Sequence, residues 1–255
     1  MSDELPIDRL KKIVHRLRSP GGCPWDIKQT PQTLTPHIIE EAYEIVDAIE
    51  TNDPEKIKDE LSDSLLHITM LAEILSETSS VTFDEIATHC CEKMIRRHPH
   101  VFGNKTVSDS AGVNKQWEEL KLKEQNSKDL FNSIPKHFPA LLHAQKIQKK
   151  VSYLGFDWPS SEGAIDKLME ECNELKDATS DENITEELGD ILFSLVNICR
   201  KYNKSAEDLL QKANQKFKNR FNSLNDIMTK HNKEFKNCTL EELEQFWNQA
   251  KKLSK

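Results

Sequence analysis

Carboxylates recur in this chain at a spacing that can do chemistry. Glu170-Glu171-Cys172-Asn173-Glu174 is followed by Glu187-Leu188-Gly189-Asp190. On a helix, residues three or four apart share a face. Glu171 and Glu174 therefore point together, and so do Glu187 and Asp190. Two antiparallel helices joined by a short turn over 179–183 bring the two pairs face to face. Four carboxylates converging in a partly buried place repel one another unless something neutralises them. A hard divalent cation does so, and an all-oxygen donor set suits Mg²⁺, with Mn²⁺ as a substitute. A lone Glu pair one turn apart is ordinary solvated helix surface. Here the neighbours Leu168, Leu175, Leu188, Ile191 and Leu192 are apolar, so the acids border a core.

Cations stand nearby in the pattern. Lys167 lies one turn before Glu171 on the same face, and Lys216 and Arg220 are four apart on the next long helix. Cations beside a metal site suit a polyphosphate, whose charge Mg²⁺ neutralises only in part. The bland alternative for the stretch from Lys212 to Arg220 is a Lys-rich solvated face. His98 and His100 flank Pro99, which prevents a regular helical ligand pair, so a structural turn is expected there. Trp25, Trp117, Trp158 and Trp247 have the shape to stack on a base, with core or interface packing as the default. Cys90-Cys91 lacks a charged activator and is assigned to packing.

The elements that must position these residues read as helices. Thr35-Pro36 predicts an N-cap and first residue of a helix to about Ile49. Asn52-Asp53-Pro54 interrupts the chain before a helix to about Ser76. Thr82-Phe83-Asp84-Glu85 is a capping box for a helix to about Arg97, and a further helix carries Trp117 to about Gln125. The polar stretch that follows, with Pro135 and Pro139, reads as a linker. Helices are then expected over 140–151, 164–178, 184–202 and 206–230, and Thr239-Leu240-Glu241-Glu242 caps a last one. No sustained alternation of strand type occurs.

The chain also repeats itself. Glu40-Glu41-Ala42-Tyr43-Glu44 matches 170–174 at an offset of 130, and Glu60-Leu61-Ser62-Asp63 matches 187–190 at 127. Lys93 and Arg97 match Lys216 and Arg220 at 123, and Trp117 precedes Trp247 by 130. These are two related helical units, expected as domains over 1–125 and 139–255 with a linker over 126–138.

Composition agrees. Among 255 residues there are only 7 Gly and 10 Pro, too few turn formers for a sandwich or a nucleotide-binding sheet. Lys and Arg number 35 against 43 Asp and Glu, a net charge of −8. That balance weighs against nucleic acid and anionic membranes as partners. No apolar window long enough for a membrane span exists, and the acidic start lacks the layout of a secretory signal. Six cysteines without a C-x-x-C pair suit reduced, mostly buried thiols in a cytoplasm.

Taken together, the paired E-E-x-x-E and E-x-x-D motifs resemble those of the MazG family of nucleoside triphosphate pyrophosphohydrolases. Supporting stretches are Gly22-Cys23-Pro24-Trp25-Asp26, the run from Arg96 to Phe102, the run from Ala144 to Lys149, and Gly155-Phe156-Asp157-Trp158. The resemblance runs from about Ile7 to Trp247. It implies an all-α, dimeric, Mg²⁺-dependent enzyme in two-domain form, converting NTPs and dNTPs of broad base range to monophosphate and pyrophosphate. In such dimers, paired helices of two subunits form a bundle. By position, Glu171, Glu174, Glu187 and Asp190 would be catalytic metal ligands. Glu170, Lys167, Lys216, Arg220 and Trp247 would contact the substrate. Glu41, Glu44, Glu60 and Asp63 would hold metal in the first copy, with Lys93 and Arg97 on phosphates. That copy departs from the pattern at Ser62, where the family's motif has Gly, and at His37, which matches Lys167. The second copy is therefore expected to be the better-formed site. Gly189, costly in a helix interior, hints at close approach by a helix or ligand.

Two other readings exist. A di-iron or di-manganese carboxylate bundle uses E-x-x-H on two helices, and neither acid motif supplies His at that offset. A non-catalytic helical module would bind nucleotide or a partner without turnover.

Overall fold

Proline and hydroxyl side chains decide where the helices of the first unit begin. The computed structural model describes residues 4–124 and 130–253. Helices α1 (Pro6–Arg18), α2 (Pro24–Ile27), α3 (Pro31–Thr51), α4 (Pro54–Thr78) and α6 (Pro99–Phe102) carry Pro in their first turn. There the missing N–H would have had no intrahelical partner. Helix α5 (Phe83–Arg97) opens on the expected capping box between Thr82 and Glu85.

In this unit the start of α3 differs from expectation. The helix opens at Pro31, five residues before Pro36, which lies inside α3. Thr30 Oγ1 accepts the Thr33 N–H, and Thr33 Oγ1 accepts the Thr30 N–H. Both Thr-Pro pairs carry the same signal, but three residues after Thr35 stands Ile38, which cannot reciprocate. Asn52, at φ 54°, ends α3, and Asp53 Oδ1 caps α4 through the Glu55 N–H. Helices α3 and α4 run side by side, and α1 packs on α4 over a core of Val14, Leu34, Met70 and Ile74.

The second unit comprises α7 (Ser110–Glu124), α8 (Ala140–Ser152), α9 (Ser161–Asp177), α10 (Asp181–Lys201), α11 (Ala206–Lys230) and α12 (Leu240–Leu253). Ser160 and Ser180 cap α9 and α10 by accepting the Glu162 and Asn183 N–H groups. Both helices thus begin three residues before their apolar periodicity does. The connection between them shortens to 178–180. Gln148 of α8 donates to the Phe193 carbonyl of α10 at 2.8 Å. Gln145 donates to the Lys204 carbonyl and accepts the Ala206 N–H, tying α8 to the α10–α11 turn. Leu224, Ile227, Met228 and Ala250 form the core between α11 and α12.

The chain separates into compact units of residues 1–109 and 110–255, with α7 grouping with the second. Of the expected linker 126–138, residues 126–129 lie outside the described residues. The remainder turns, with Ile134 buried and Lys150 Nζ donating to the Leu130 carbonyl. Among the described residues there is no strand, so the fold is all-α. The six cysteines are free, but Cys90 and Cys91 are exposed rather than buried, because α5 buries none of its residues. His98 forms the expected turn, ending α5 and starting α6 with its ring nitrogen 2.7 Å from the Met94 carbonyl.

The helix pairs leave apolar surface open. Leu61, Leu65 and Ile68 form an exposed stripe on α4 at spacing i, i+4, i+7. Leu188, Leu192 and Leu195 repeat it on α10 at the same offset of 127 that relates the acid motifs. The duplication therefore extends beyond the carboxylates to the surface beside them.

Candidate active site

Helix α9 carries Glu170, Glu171 and Glu174, and α10 carries Glu187 and Asp190. Because the two helices pack side by side, one carboxylate oxygen each of Glu171, Glu187 and Asp190 falls within 4.8 Å of the others. Glu171 is buried, its side chain only 5% exposed, Glu187 is half-buried and Asp190 exposed. The cluster thus runs from the helix interface out to solvent. Lys167 Nζ sits 2.8 Å from both Glu170 Oε1 and Glu171 Oε1. Those two bonds, Glu170 first, raise the ammonium above its ordinary value. Lys167 in turn holds the Glu171 carboxyl below the usual range, against the effect of burial. Glu174, which shares a hydrogen bond with Glu171, is pushed up by it, and burial pushes Glu187 up.

The acids fit a divalent cation. One lysine pairs with Glu170 and Glu171, and among the described residues no ion pair forms at Glu174, Glu187 or Asp190. Glu187 Oε2 is buried and has no hydrogen-bond partner. An unpaired buried carboxylate oxygen is unfavourable, and a cation at the convergence point would supply the missing partner.

The first unit repeats the geometry with different support. One oxygen each of Glu41 on α3 and Glu60 and Asp63 on α4 lies within 4.8 Å of the others. Burial raises Glu41 and Glu60, and Glu44 adds its charge to both. Glu41 Oε2 is buried and unpartnered. The lysine is missing: His37 stands in its place, 3.8 Å from Glu40.

The remaining expected contacts form a separate group. Phe217, between Lys216 and Arg220 on α11, packs against Trp247 of α12 with ring centroids 5.3 Å apart. Trp247 is half-buried at the rim of the α11–α12 core. Arg220 Nε is buried without a partner. Among the described residues, no hydrogen bond or ion pair joins Lys216, Arg220 or Trp247 to the acids. Lys93 and Arg97 lie one turn apart near the end of α5. Trp25 is half exposed, edge-on to His37 at 6.0 Å, rather than packed in a core.

Comparison with known proteins agrees with this geometry. The model of the MazG nucleotide pyrophosphohydrolase domain matches twice, over residues 29–102 and 160–224, once in each unit. The chain is 40% identical over 247 residues to the nucleoside triphosphate pyrophosphohydrolase/pyrophosphatase MazG of Thermotoga maritima, covering 96% of this chain and 95% of that one. It is 39% identical to the nucleoside triphosphate pyrophosphohydrolase of Escherichia coli K12, over 96% of this chain and 97% of the relative. The chain belongs to the MazG family. A third relative, the uncharacterized protein YabN of Bacillus subtilis, is 38% identical over 94% of this chain, which spans half of YabN's own length.

Both MazG matches contain a complete acid cluster, and the second also contains Lys167, Lys216 and Arg220. Trp247 lies beyond the matched residues. Sequence reasoning missed His67, which follows Asp63 by four residues and shares its helix face. It also missed Gly163, where a Cβ would come within 2.2 Å of the Trp158 ring. By contrast, a Cβ at Gly189 would meet nothing within 4 Å. The approach anticipated there does not come from this chain's own described atoms. No helix among the described residues is long and apolar enough to cross a membrane.

Proposed function

We propose that this MazG-family chain hydrolyses nucleoside and deoxynucleoside triphosphates of broad base range to monophosphate and pyrophosphate. The reaction is Mg²⁺-dependent, with Mn²⁺ as a substitute, and serves housekeeping of a cytoplasmic nucleotide pool. The observation that carries the reading is the second-unit cluster, where Glu171, Glu187 and Asp190 converge around a buried, unpartnered oxygen beside a fixed lysine. Glu171, Glu174, Glu187 and Asp190 would hold the cation. Bound there, Mg²⁺ neutralises part of the triphosphate charge and activates phosphorus toward water.

The chain's own residues do the rest. Lys167 neutralises Glu171 and leaves the outer acids open to the ion. A carboxylate of the cluster would hold and orient the attacking water. Lys216 and Arg220 would bind phosphate oxygens and Trp247 would lie beside the nucleoside. Among the described residues no Ser, Cys or His stands in a nucleophile–base pair at the acids, and direct attack by water is the step we assign.

The working unit is a homodimer in this reading. The stripes of Leu61, Leu65 and Ile68 and of Leu188, Leu192 and Leu195 lie beside the acid faces and remain open in one chain. Helices of a second copy would cover them and close the sites, which removes a patch that a lone chain would expose. Domains over 1–125 and 139–255 would each carry one cluster. Asp190→Asn and Glu174→Gln test the assignment. With NTP and Mg²⁺, each is expected to lose pyrophosphate release at least a hundredfold while remaining folded. Release that survives both changes would show that the second cluster is not catalytic.

A further inference from the structure

The two acid clusters share one motif and differ in what faces it. In the second unit the neighbours are Lys167 and, at an offset of 127 from His67, Ser194. In the first unit they are His37 and His67. An ammonium and a hydroxyl have been exchanged for two imidazoles.

His67 follows Glu60 and Asp63 at i+7 and i+4, so α4 presents all three to α3. Its Nδ1 lies 3.7 Å from Glu41 Oε1, too far for a hydrogen bond. That nitrogen is shut off from solvent and has no hydrogen-bond partner, and the same is true of Glu41 Oε2. The ring is held in plane by His37, which stacks on it with centroids 5.8 Å apart at an interplanar angle of 4°. Trp25 closes the outer side of His37 edge-on. Nδ1 faces one oxygen of the Glu41 carboxylate, and the other oxygen of that same carboxylate is the orphaned one. Each buried polar atom left unpaired carries its own desolvation penalty. A cation between them satisfies both.

The donor set determines which cation. Carboxylate oxygens alone suit Mg²⁺, whereas an imidazole nitrogen among them suits Mn²⁺, Co²⁺ or Zn²⁺. With His37 in place of the lysine, no ammonium pairs with the first cluster's acids among the described residues.

We propose that His67 joins Glu41, Glu60 and Asp63 as a metal ligand, giving the first unit a mixed nitrogen–oxygen site that prefers borderline divalent cations over Mg²⁺. The second unit keeps an all-oxygen site, so the two halves of one chain hold different metals. His37 serves as the positioning residue that fixes the imidazole plane. This inference rests on reading the first unit's acids as a cation site, the same reading that places Mg²⁺ in the second.

The test is pulsed electron paramagnetic resonance on the full chain loaded with Mn²⁺. Modulation from a directly bound imidazole nitrogen is expected, and it should persist when excess Mg²⁺ displaces Mn²⁺ from the second site. None of Glu171, Glu174, Glu187 or Asp190 can produce it. His67→Gln should abolish the nitrogen signal, and Glu60→Gln, which leaves the imidazole in place, should weaken it severalfold. Two Mn²⁺ bound per chain with no nitrogen modulation would overturn the proposal and leave the hydrolytic reading standing. Nitrogen modulation that survives in His67→Gln, or that Mg²⁺ removes, would overturn it as well. A chain that binds no Mn²⁺ at all would overturn both readings.

Discussion

Replacing Lys167 with Met removes the one ammonium that, among the described residues, pairs with the second acid cluster, and keeps the helix propensity of the position nearly unchanged. A charge-assisted hydrogen bond contributes about 1.5–3 kcal/mol. The Lys167–Glu171 bond is 2.8 Å long and its acid end is 5% exposed, but the lysine end is 36% exposed, which places it at the lower end of that range. The Glu170 partner is 56% exposed, and such a pair adds about 0–1 kcal/mol. The expected loss in metal-free protein is therefore about 2 kcal/mol, roughly thirtyfold in the unfolding equilibrium. Urea unfolding followed by circular dichroism should show it as a midpoint shift of about 1 M. With saturating Mg²⁺ the loss should shrink, because the divalent ion takes over neutralisation of Glu171. An equal loss with and without Mg²⁺, or a metal-free loss below about 0.5 kcal/mol, would refute the reasoning that this lysine substitutes electrostatically for a cation.

Other consequences can be checked in the same preparations. Glu41, Glu60 and Glu187, raised first by burial, and Glu174, raised by its bond to Glu171, sit above the ordinary value of 4.5. Folding then takes up protons between the unfolded and folded values, so metal-free stability should fall as pH rises from 4.5 through the folded values and level off above them. Glu77, Asp157, Glu171 and Glu242 are lowered, and their contribution is lost only as pH falls below the ordinary values. Saturating Mg²⁺ should reverse the first slope, and denaturation midpoints across pH would measure both. Leu65→Glu and Leu192→Glu, each in an exposed stripe, should shift sedimentation velocity from dimer toward monomer; an unchanged coefficient would remove those stripes from the interface. Gly189→Ala, in open space on α10, should stabilise the chain by about 1 kcal/mol. If thermal melting instead shows a loss, something approaches that backbone in the assembled protein.

Much of this architecture was legible because the sequence states it twice. The acid pairs, Lys167, the capping box at Thr82 and the all-α class follow from spacing alone, since helical periodicity is local. The opening of α3 was misplaced because two Thr-Pro pairs compete, and only the reciprocal bond between Thr30 and Thr33 separates them. Helices α9 and α10 start earlier than their apolar positions because Ser160 and Ser180 cap a first turn that faces solvent. The exposure of Cys90, Cys91 and the leucine stripes could not be read from composition: residue type sets a tendency to bury, and which face finds a neighbour depends on packing. His67 was legible in principle from its register with Glu60 and Asp63. The stacking that orients it needs α3 and α4 side by side.

The most direct measurement is ³¹P NMR of an NTP incubated with the 255-residue chain, once with Mg²⁺ and once with excess EDTA. The account predicts pyrophosphate and nucleoside monophosphate appearing together in equal amounts with Mg²⁺, and an unchanged triphosphate spectrum with EDTA. Diphosphate with orthophosphate, or turnover that EDTA leaves intact, would contradict it.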